Sequence, residues 1–140
     1  MTITVEGTRF GDLEIEPDRV LQMPNGLIGI PGTRYALIGD EDATFRWLQS
    51  LDEPAIALPV TDPARFAHRI ELDGTDHAGI GDGEILVTVR AADRAEDFTV
   101  NLRAPIVVRD GYAWQVVNAD EHASLRAPLF PSAAVAAQGR

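Results

Sequence analysis

The stretch Phe45–Pro63, FRWLQSLDEPAIALPVTDP, contains two short apolar runs, each followed by an acidic residue and a proline. The first run, FRWLQSL, is typical of a β-strand anchored by Trp47, and the second, IALPV, is expected to return antiparallel to it. The segment DEPA supplies the turn between them, and Pro59 lacks a backbone donor, which favours an edge strand or a bulge for the second run. The stretch therefore predicts a packed β-hairpin, with Trp47 in the core rather than at a binding surface. An edge strand between acidic turns can also accept a partner chain, so a docking surface is the alternative.

Short strands are predicted on both sides of this hairpin. The segments TITVEG and GDLEIEPD alternate apolar with polar residues, and EILVTVRA places Ile85, Val87 and Val89 on one face. The segment FTVNLRAPIVVRDGYAWQVVN predicts two or three further strands, with a hairpin turn at Asp110-Gly111. Many short strands separated by turn residues are typical of an all-β barrel or sandwich. We therefore expect a mainly β, single-domain, β-barrel-like antiparallel fold, with one or two short helical turns at 63–69 and around 92–96.

The length and the composition bound the organisation of the chain. Its 140 residues match the usual size of one domain. We expect a single β domain over residues 1–130 and a flexible C-terminal tail over residues 131–140, where the sequence PSAAVAAQGR is small and Ala-rich. A short helix that a partner orders is the alternative for this tail. The chain contains no Cys, which excludes disulfides and thiolate chemistry.

The charge balance limits the classes of partner. The chain has 22 acidic and 12 basic residues, all of the latter Arg, and a formal net charge of −10. This balance disfavours direct binding to nucleic acid, because contact with phosphates depends on clustered basic charge, and it favours a basic partner. No signal peptide is recognisable, and no apolar run approaches the ~18 residues of a membrane-spanning helix. The expected location is therefore cytoplasmic, with no membrane partner.

The sequence contains no recognisable catalytic or cofactor motif. His68, His77 and His122 do not have the spacing of a local metal pair. The loop Asp73–Glu84 resembles a calcium loop only superficially, because Ala78 stands where such a loop needs Gly for its sharp turn. The segment GLIGIPG, residues 26–32, ends in Pro31-Gly32, which does not allow the helix that follows the glycines of a dinucleotide site. Its glycines therefore indicate tight turns or a close backbone approach. No catalytic residue, cofactor or metal is therefore predicted.

Several of these segments together resemble the flagellar assembly factor FliW family. WLQSLDEPAIALPVTDP is similar to the family signature W-L-Q-S-L-(D/E)-(D/E)-P-x-x-A-(F/L)-P-V-x-D-P. FGDLEIEPDRVLQMPNGLIGIPGTRYALI, FTVNLRAPIVV and the closing LRAPL also resemble family segments in the same order. The resemblance extends from Arg9 to about Leu129, and the Trp-Leu-Gln-Ser-Leu and Asn-Leu-x-Ala-Pro pieces are rather specific in combination. The chain departs from the pattern at Met23 and Ile30, where family members usually carry Phe.

The resemblance implies a function without catalysis. Members of the family are cytoplasmic β-barrel-like binding proteins of flagellated bacteria. They bind flagellin, the filament subunit, and CsrA, an RNA-binding translational regulator that represses flagellin synthesis. Accumulated flagellin occupies the factor and releases CsrA, whereas export of flagellin frees the factor to relieve repression. Such partner exchange requires that each partner weaken the apparent binding of the other.

Five residues are the candidates for partner contacts: Asp52, Glu53, Asp62, Asn101 and Arg103. Each also has a structural interpretation, because Asn101 can satisfy backbone groups in a turn and Asp62 can cap the helical turn that begins at Pro63. Three other functions remain as alternatives. They are a generic β-barrel module for peptides or ligands, a flagellin chaperone without a CsrA branch, and a small hydrolase or metal-dependent enzyme that uses His77, His122 and carboxylates.

Overall fold

The computed structural model describes residues 2–66, 68 and 83–130, and these residues form short strands joined by turns and three single-turn 3-10 helices. The strands are β1 (Ile3–Thr8), β2 (Gly11–Ile15), β3 (Val20–Gln22), β4 (Arg34–Ile38), β5 (Phe45–Ser50), β6 (Ala57–Thr61), β7 (Glu84–Arg90), β8 (Thr99–Val100), β9 (Ile106–Arg109), β10 (Tyr112–Gln115) and β11 (Ala127–Pro128). The predicted tail, residues 131–140, lies outside the described residues.

Seven of the described strands close into a barrel. They follow the order β7–β6–β5–β4–β3–β10–β9, and β9 pairs back with β7 at Leu86↔Ile106. All of these pairs are antiparallel except β3 with β10, which is parallel. Closure places none of these strands at an edge of the sheet over its whole length, which is how small all-β domains avoid pairing with other chains. The prediction of a mainly β, barrel-like fold is confirmed.

The hairpin of the opening stretch is present as β5 and β6. The two strands pair from Phe45↔Thr61 to Gln49↔Ala57. The prediction that Pro59 marks an edge strand or a bulge is wrong, because β6 lies between β5 and β7 and its register with β5 is unbroken. Its pairing with β7 involves only Val60 and Thr61, so at Pro59 the strand has β5 alone as its neighbour. A residue without an N–H is tolerated at this end of the strand.

The interior of the barrel is the main hydrophobic core. Tyr35, Leu48, Val60 and Ile106 are fully buried there and pack with Leu21, Met23, Leu27, Leu86 and Ala113. Trp47 is not part of this core, contrary to the prediction. Side chains alternate along a strand, and Leu48 points inward, so its neighbour Trp47 lies on the outer face of β5. There Trp47 remains half-buried.

Two smaller apolar clusters cover the outside of the barrel. The hairpin of β1 and β2 packs Val5 and Ile15 onto Val20, Ala36 and Leu51. A flap of β8 and β11 forms the second cluster against the outer face of β7, with the members Val87, Val89, Val100, Ala127 and Leu129. As a result β7 is buried on both faces, whereas its sequence predicts one apolar face through Ile85, Val87 and Val89.

A wide bulge separates β8 from β9 along one side of β7. From Val100 to Ile106 the chain advances six residues (106 − 100), while their partners on β7, Val89 and Leu86, are three residues apart (89 − 86). The inserted segment, Asn101–Pro105, lies between β8 in the flap and β9 in the barrel, and both strands run antiparallel to β7.

The short turns agree with the sequence in most places. Asp110 and Gly111 have φ angles of 53° and 80° and join β9 to β10, as a two-residue Asp-Gly turn requires. The predicted helical turns are 3-10 helices at Pro63–Phe66 and Ala95–Asp97. A third 3-10 helix, Pro17–Arg19, was not predicted.

Candidate binding surfaces at the two ends of the barrel

The predicted contact residues lie at two different ends of the barrel. We call the end that carries the 51–56 turn the upper end, and the end that carries the 39–44 loop the lower end. Asp52 and Glu53 belong to the turn between β5 and β6 at the upper end. Asp62 follows Thr61, which pairs with Phe45 at the other end of the same hairpin. The structure therefore separates Asp62 from Asp52 and Glu53 by the length of a strand.

Asp52 holds the 51–56 turn against the start of β4. Its carboxylate accepts hydrogen bonds from the backbone N–H groups of Thr33 and Arg34, at 2.8 and 3.1 Å, and from Arg34 Nε at 2.9 Å. The pKa of Asp52 is lowered below its ordinary value, chiefly by the hydrogen bond from Thr33 N. Burial opposes this shift, and the hydrogen bonds and the positive charge of Arg34 add to it. Gly32 allows this approach, because a Cβ there would lie 3.3 Å from Asp52 Cβ.

Tyr35 follows Arg34 on β4 and lies close enough to Asp52 to interact with its charge. Its ring is fully buried and its hydroxyl donates a hydrogen bond to the Pro31 carbonyl at 3.1 Å. Burial, and secondarily the negative charge of Asp52, raises the pKa of Tyr35, so the phenol stays protonated and remains a donor. The Gly-rich loop, residues 26–32, is thus held at Pro31 by Tyr35 and just after Gly32 by Asp52.

Glu53 differs from Asp52 although the two carboxylates are adjacent in sequence. Its backbone N–H donates to Ser50 Oγ at 2.9 Å and its carbonyl accepts from Ile56 N at 2.9 Å, so the turn uses its main chain. The side chain is exposed. Within the part of the chain that the structure describes, no hydrogen bond or ion pair engages the Glu53 carboxylate.

Gln49 is a structural residue that the sequence reasoning missed. It lies on the outer face of β5, yet its exposure is 0% because the 51–56 turn covers it. Its side-chain Nε2 lies within hydrogen-bonding distance of the carbonyls of Ser50, Pro54 and Ile56, at 2.8, 3.0 and 3.2 Å. Its Oε1 is buried and has no partner among the described residues. No periodicity signals this role, because alternation places Gln49 on the same face as Trp47 but does not show that the 51–56 turn covers it.

Asn101 and Arg103 organise the bulge between β8 and β9. Asn101 Oδ1 accepts hydrogen bonds from the backbone N–H groups of Arg103 and Ala104, at 2.9 and 3.1 Å. The Arg103 guanidinium donates to the Glu121 carbonyl at 2.8 Å, which ties the bulge to the segment before β11. The structural interpretation of Asn101 as a residue that satisfies backbone groups in a turn is therefore confirmed.

The lower end of the barrel is acidic. Asp62 Oδ1 accepts a hydrogen bond from Ala64 N at 2.9 Å and so caps the 3-10 helix, as the sequence predicts. Arg46, buried on the inner face of β5, forms an ion pair with Glu84 at 2.7 Å in the lower mouth. The acidic residues grouped around this mouth and in the adjoining loop are Asp18, Asp40, Glu41, Asp42, Asp62 and Glu84.

The upper end carries an open groove of about 350 Å³, which we call the upper groove. It lies between the barrel core and the β8–β11 flap. Apolar side chains line much of its floor, and two arginines stand at its rim. The lining residues include Ile28, Leu58, Arg90, Val100, Leu125 and Arg126. Asn101 also lines this groove, whereas Asp52, Glu53, Asp62 and Arg103 do not.

An exposed cation–aromatic cluster lies on the outer face beside β5. The Arg9 guanidinium lies 4.1 Å from the centre of the Trp47 ring, and Phe10 meets the same ring edge-on at 5.6 Å. A cation–aromatic contact such as that of Arg9 with Trp47 contributes roughly 0.5–1 kcal/mol at an exposed site. The two contacts account for Trp47 as the anchor of the β1–β2 turn rather than of the core.

The described histidines do not converge. His68 Nε2 lies 2.8 Å from the Pro128 carbonyl, and His122 uses its backbone N–H to bond Asp120. His77, and nearly all of the Asp73–Glu84 loop, lie outside the described residues. Over residues 2–66, 68 and 83–130, no three metal-ligating side chains form a group, and no helix is long and apolar enough to cross a membrane.

Fold and surfaces together define a small closed β-barrel protein with an acidic lower end and a groove at its upper end. The chain belongs to the FliW family of flagellar assembly factors, because the family model described as "FliW protein" matches residues 4–129. It is 34% identical to the flagellar assembly factor FliW of Magnetococcus marinus, over 91% of this chain and 85% of the relative. It is 35% identical to that of Geotalea uraniireducens, over 90% and 83% respectively. The fold matches a crystal structure of the flagellar assembly factor FliW with a TM-score of 0.80 at 24% identity, covering 92% of this chain and 98% of the other.

Proposed function

We propose that this protein binds flagellin and the translational regulator CsrA in exchange for one another, and thereby couples flagellin synthesis to flagellin export. The observation that carries the proposal is membership of the FliW family over residues 4–129. In this scheme the protein is a binding module rather than an enzyme, and it acts in the cytoplasm, where both partners are made. Flagellin occupancy and CsrA occupancy weaken one another by linkage.

The charge distribution supports the CsrA branch of this proposal. An RNA-binding protein presents basic charge to phosphates, and a protein with a net charge of −10 attracts such a surface. The acidic residues at the lower end are exposed for the most part, and Asp40, Glu41 and Asp42 are consecutive in the 39–44 loop. Charge of this kind mainly raises the association rate and sets the salt dependence of binding.

The contact residues remain a prediction. The polar atoms of Asp52, Asp62, Asn101 and Arg103 already make hydrogen bonds within the fold, so substitution of any of them changes local structure as well as a surface. Glu53 is the member of the predicted set whose side chain is best placed for a partner, because its carboxylate is exposed. Its contribution is therefore the simplest to measure.

The test is a calorimetric titration of the purified protein with flagellin from its own source, with CsrA, and with each in the presence of the other. The expected result is binding of both partners, with flagellin reducing the apparent affinity for CsrA. Binding of flagellin alone would replace the proposal with a chaperone that has no CsrA branch. A folded sample that binds neither partner would leave a β-barrel module for other peptides or ligands.

A charge reversal tests whether CsrA binds at the lower end of the barrel. Glu41→Arg at the lower end is expected to weaken CsrA binding about tenfold, which corresponds to ~1.4 kcal/mol, and to reduce its salt dependence. Asp93→Arg is the matched control, because Asp93 is exposed and lies outside the 39–44 loop. Equal losses for the two variants would mean that only net charge matters and that the lower end is not the contact surface.

A further inference from the structure

The upper groove lies where two apolar clusters of the protein meet. Leu27, Ile30 and Leu58 belong to the barrel core or pack against it, whereas Val89 and Val100 belong to the cluster under the flap. All five line the groove together with Thr88, Thr99 and Gln115, so its floor is mainly apolar with polar groups among the apolar ones. The groove opens beside Leu58 because β6 pairs with β7 only at Val60 and Thr61. The floor is therefore accessible at a place where a closed barrel would otherwise hide it.

Two large apolar side chains stand at the rim of the groove without being buried. Ile28 is 70% exposed and Leu125 is 63% exposed, and they are the two most exposed of the large apolar side chains in the described residues. They come from distant parts of the chain, one from the Gly-rich loop and one from the segment before β11. Exposed apolar side chains that converge on an apolar floor are typical of a docking site.

Hydrogen bonds hold the walls of the groove in place. Gln115 accepts from Ile28 N at 2.8 Å through Oε1 and donates to the Ala104 carbonyl at 3.2 Å through Nε2, so it ties the Gly-rich loop to the bulge. On the other wall, Leu102 N donates to the Ser124 carbonyl at 2.9 Å. Walls fixed in this way reduce the ordering that binding would otherwise require.

The charge at the rim has the opposite sign to the charge of the protein. Arg90 and Arg126 are both exposed and both line the groove. Neither guanidinium forms an ion pair with a carboxylate among the described residues, although acidic residues outnumber basic ones by 22 to 12. Asn101 also lines the groove, and its Oδ1 is occupied by the backbone of the bulge. The rim therefore offers two cationic donors above an apolar floor.

We propose that the upper groove docks an apolar protein segment that carries carboxylate side chains, with its apolar residues on the Leu58–Val100 floor and its carboxylates on Arg90 and Arg126. The inference rests on the proposed function only in taking flagellin as the protein that supplies this segment. It assigns the two kinds of partner to different ends of the barrel. An acidic, apolar segment binds at the upper groove, and a basic surface is attracted to the lower end.

A pair of labelled peptides tests the chemistry of the groove without any assumption about flagellin. One fluorescein-labelled peptide alternates Leu with Glu, and its matched peptide alternates Leu with Lys. The net charge of −10 by itself attracts the Lys peptide and repels the Glu peptide. Fluorescence polarisation is expected to show the reverse order, with the Glu peptide bound at least about tenfold more tightly. Equal binding, or preference for the Lys peptide, overturns the proposal.

Substitutions at the rim then test whether the peptide binds in the upper groove. The double variant Arg90→Glu with Arg126→Glu is expected to lose at least about tenfold in affinity for the Glu peptide. The variant Arg19→Glu with Arg94→Glu changes net charge by the same amount outside the groove and is the matched control. Leu125→Asp is expected to act like the first double variant, with Val117→Asp as its control, because Val117 is also exposed at 53% and does not line the groove. Thermal unfolding of each variant checks that the loss is not a loss of fold.

Flagellin titrations with the same variants separate this inference from the proposed function. Flagellin that binds the wild type but not the groove variants supports both. Flagellin that binds wild type and groove variants equally overturns the groove assignment and leaves the proposed function in place. If flagellin does not bind the wild type, the proposed function fails for flagellin, and the peptide pair alone decides the groove. If the wild type is a dimer that Leu125→Asp converts to a monomer, the groove binds a second copy of the chain. If peptide binding appears only after residues 131–140 are removed, the groove binds this C-terminal segment. Either result overturns the proposal.

Discussion

The polar and charged side chains at the two ends of the barrel differ in whether they are bonded within the fold or exposed. At the upper end Asp52 is committed to Thr33 and Arg34, and the polar side chain of Gln49 is buried under its own turn. At the lower end the carboxylates of the 39–44 loop are exposed, and Arg46 rather than an acid is the buried charged group. Acidic composition alone therefore does not locate a binding surface, because hydrogen bonding within the fold decides which carboxylates remain available.

The largest expected effect tests the rigidity of the upper end. Gln49→Leu removes the side-chain donor shared by the carbonyls of Ser50, Pro54 and Ile56, of which Ile56 keeps a hydrogen bond from Ser50 N, and we expect the free energy of unfolding to fall by about 3 kcal/mol. Urea unfolding measures this change. The control is Gln22→Leu, at an exposed position of β3 where the change is expected to stay within about 0.5 kcal/mol. A loss at Gln49 no greater than that at Gln22 would show that the turn is not held by the buried amide.

An intermediate effect is expected at the lower end. Glu84→Gln removes the charge that faces Arg46, whose side chain is only 9% exposed, while the Glu84 side chain is 44% exposed. Because solvent already screens one partner, we expect a loss of about 1.5 kcal/mol rather than the full cost of breaking a buried pair. Glu14→Gln, at an exposed position of β2, is the control. Denaturation in low and high salt measures both, and identical stabilities for the two variants would contradict the prediction.

The smallest expected effect concerns pH and the Asp52 network. Asp52→Asn is expected to reduce stability by about 1 kcal/mol at neutral pH, because a neutral amide oxygen accepts from Arg34 and Thr33 less strongly than a carboxylate. The pKa of Asp52 is lowered in the folded protein from its ordinary value of 3.8. Its contribution is therefore fully present above that ordinary value and is lost as the pH falls through the lower folded value.

Stability measured against pH for the wild type and Asp52→Asn tests whether the Asp52 charge stabilises the upper end. The two curves are expected to differ at neutral pH and to converge in acid, below the ordinary pKa of an aspartate. Asp93→Asn, at an exposed position, is expected to follow the wild type throughout. A difference between the wild type and Asp52→Asn that stays constant into strong acid would argue that the substitution acts through packing rather than through charge.

Local patterns predicted much of the barrel because they depend on neighbouring residues only. The β5–β6 hairpin, the Asp110-Gly111 turn and the cap at Asp62 each follow from a few consecutive residues whose backbone preferences agree. The sequence does not predict the place of Pro59 correctly, because the cost of a missing N–H depends on where the pairing with β7 begins. It does not predict the place of Trp47 either, because alternation shows that Trp47 and Leu48 face opposite ways, but not which of the two faces is the interior.

The candidate surfaces were less accessible to sequence reasoning than the strands. The sequence predicts a contact role for Asn101, whereas in the structure its Oδ1 accepts hydrogen bonds from the backbone of the bulge. The sequence predicts no role for Gln49, although Gln49 and Ser50 are the most buried polar side chains of the opening hairpin. The upper groove joins residues from the Gly-rich loop, from β7 and from the segment before β11. No spacing along the chain indicates that these three segments meet.

The sequence by itself determined the β character of the protein, the places of its tight turns and its acidic charge, because alternation, Gly and Pro positions and composition are local properties. It also determined family membership through segments spread over most of the chain. Only the tertiary structure decided that β7 pairs with β9 to close the barrel, that Trp47 lies outside it, and that Arg90 and Arg126 meet over one groove. These outcomes depend on strand pairing between distant residues, and a period-two pattern carries no information about which strands become neighbours.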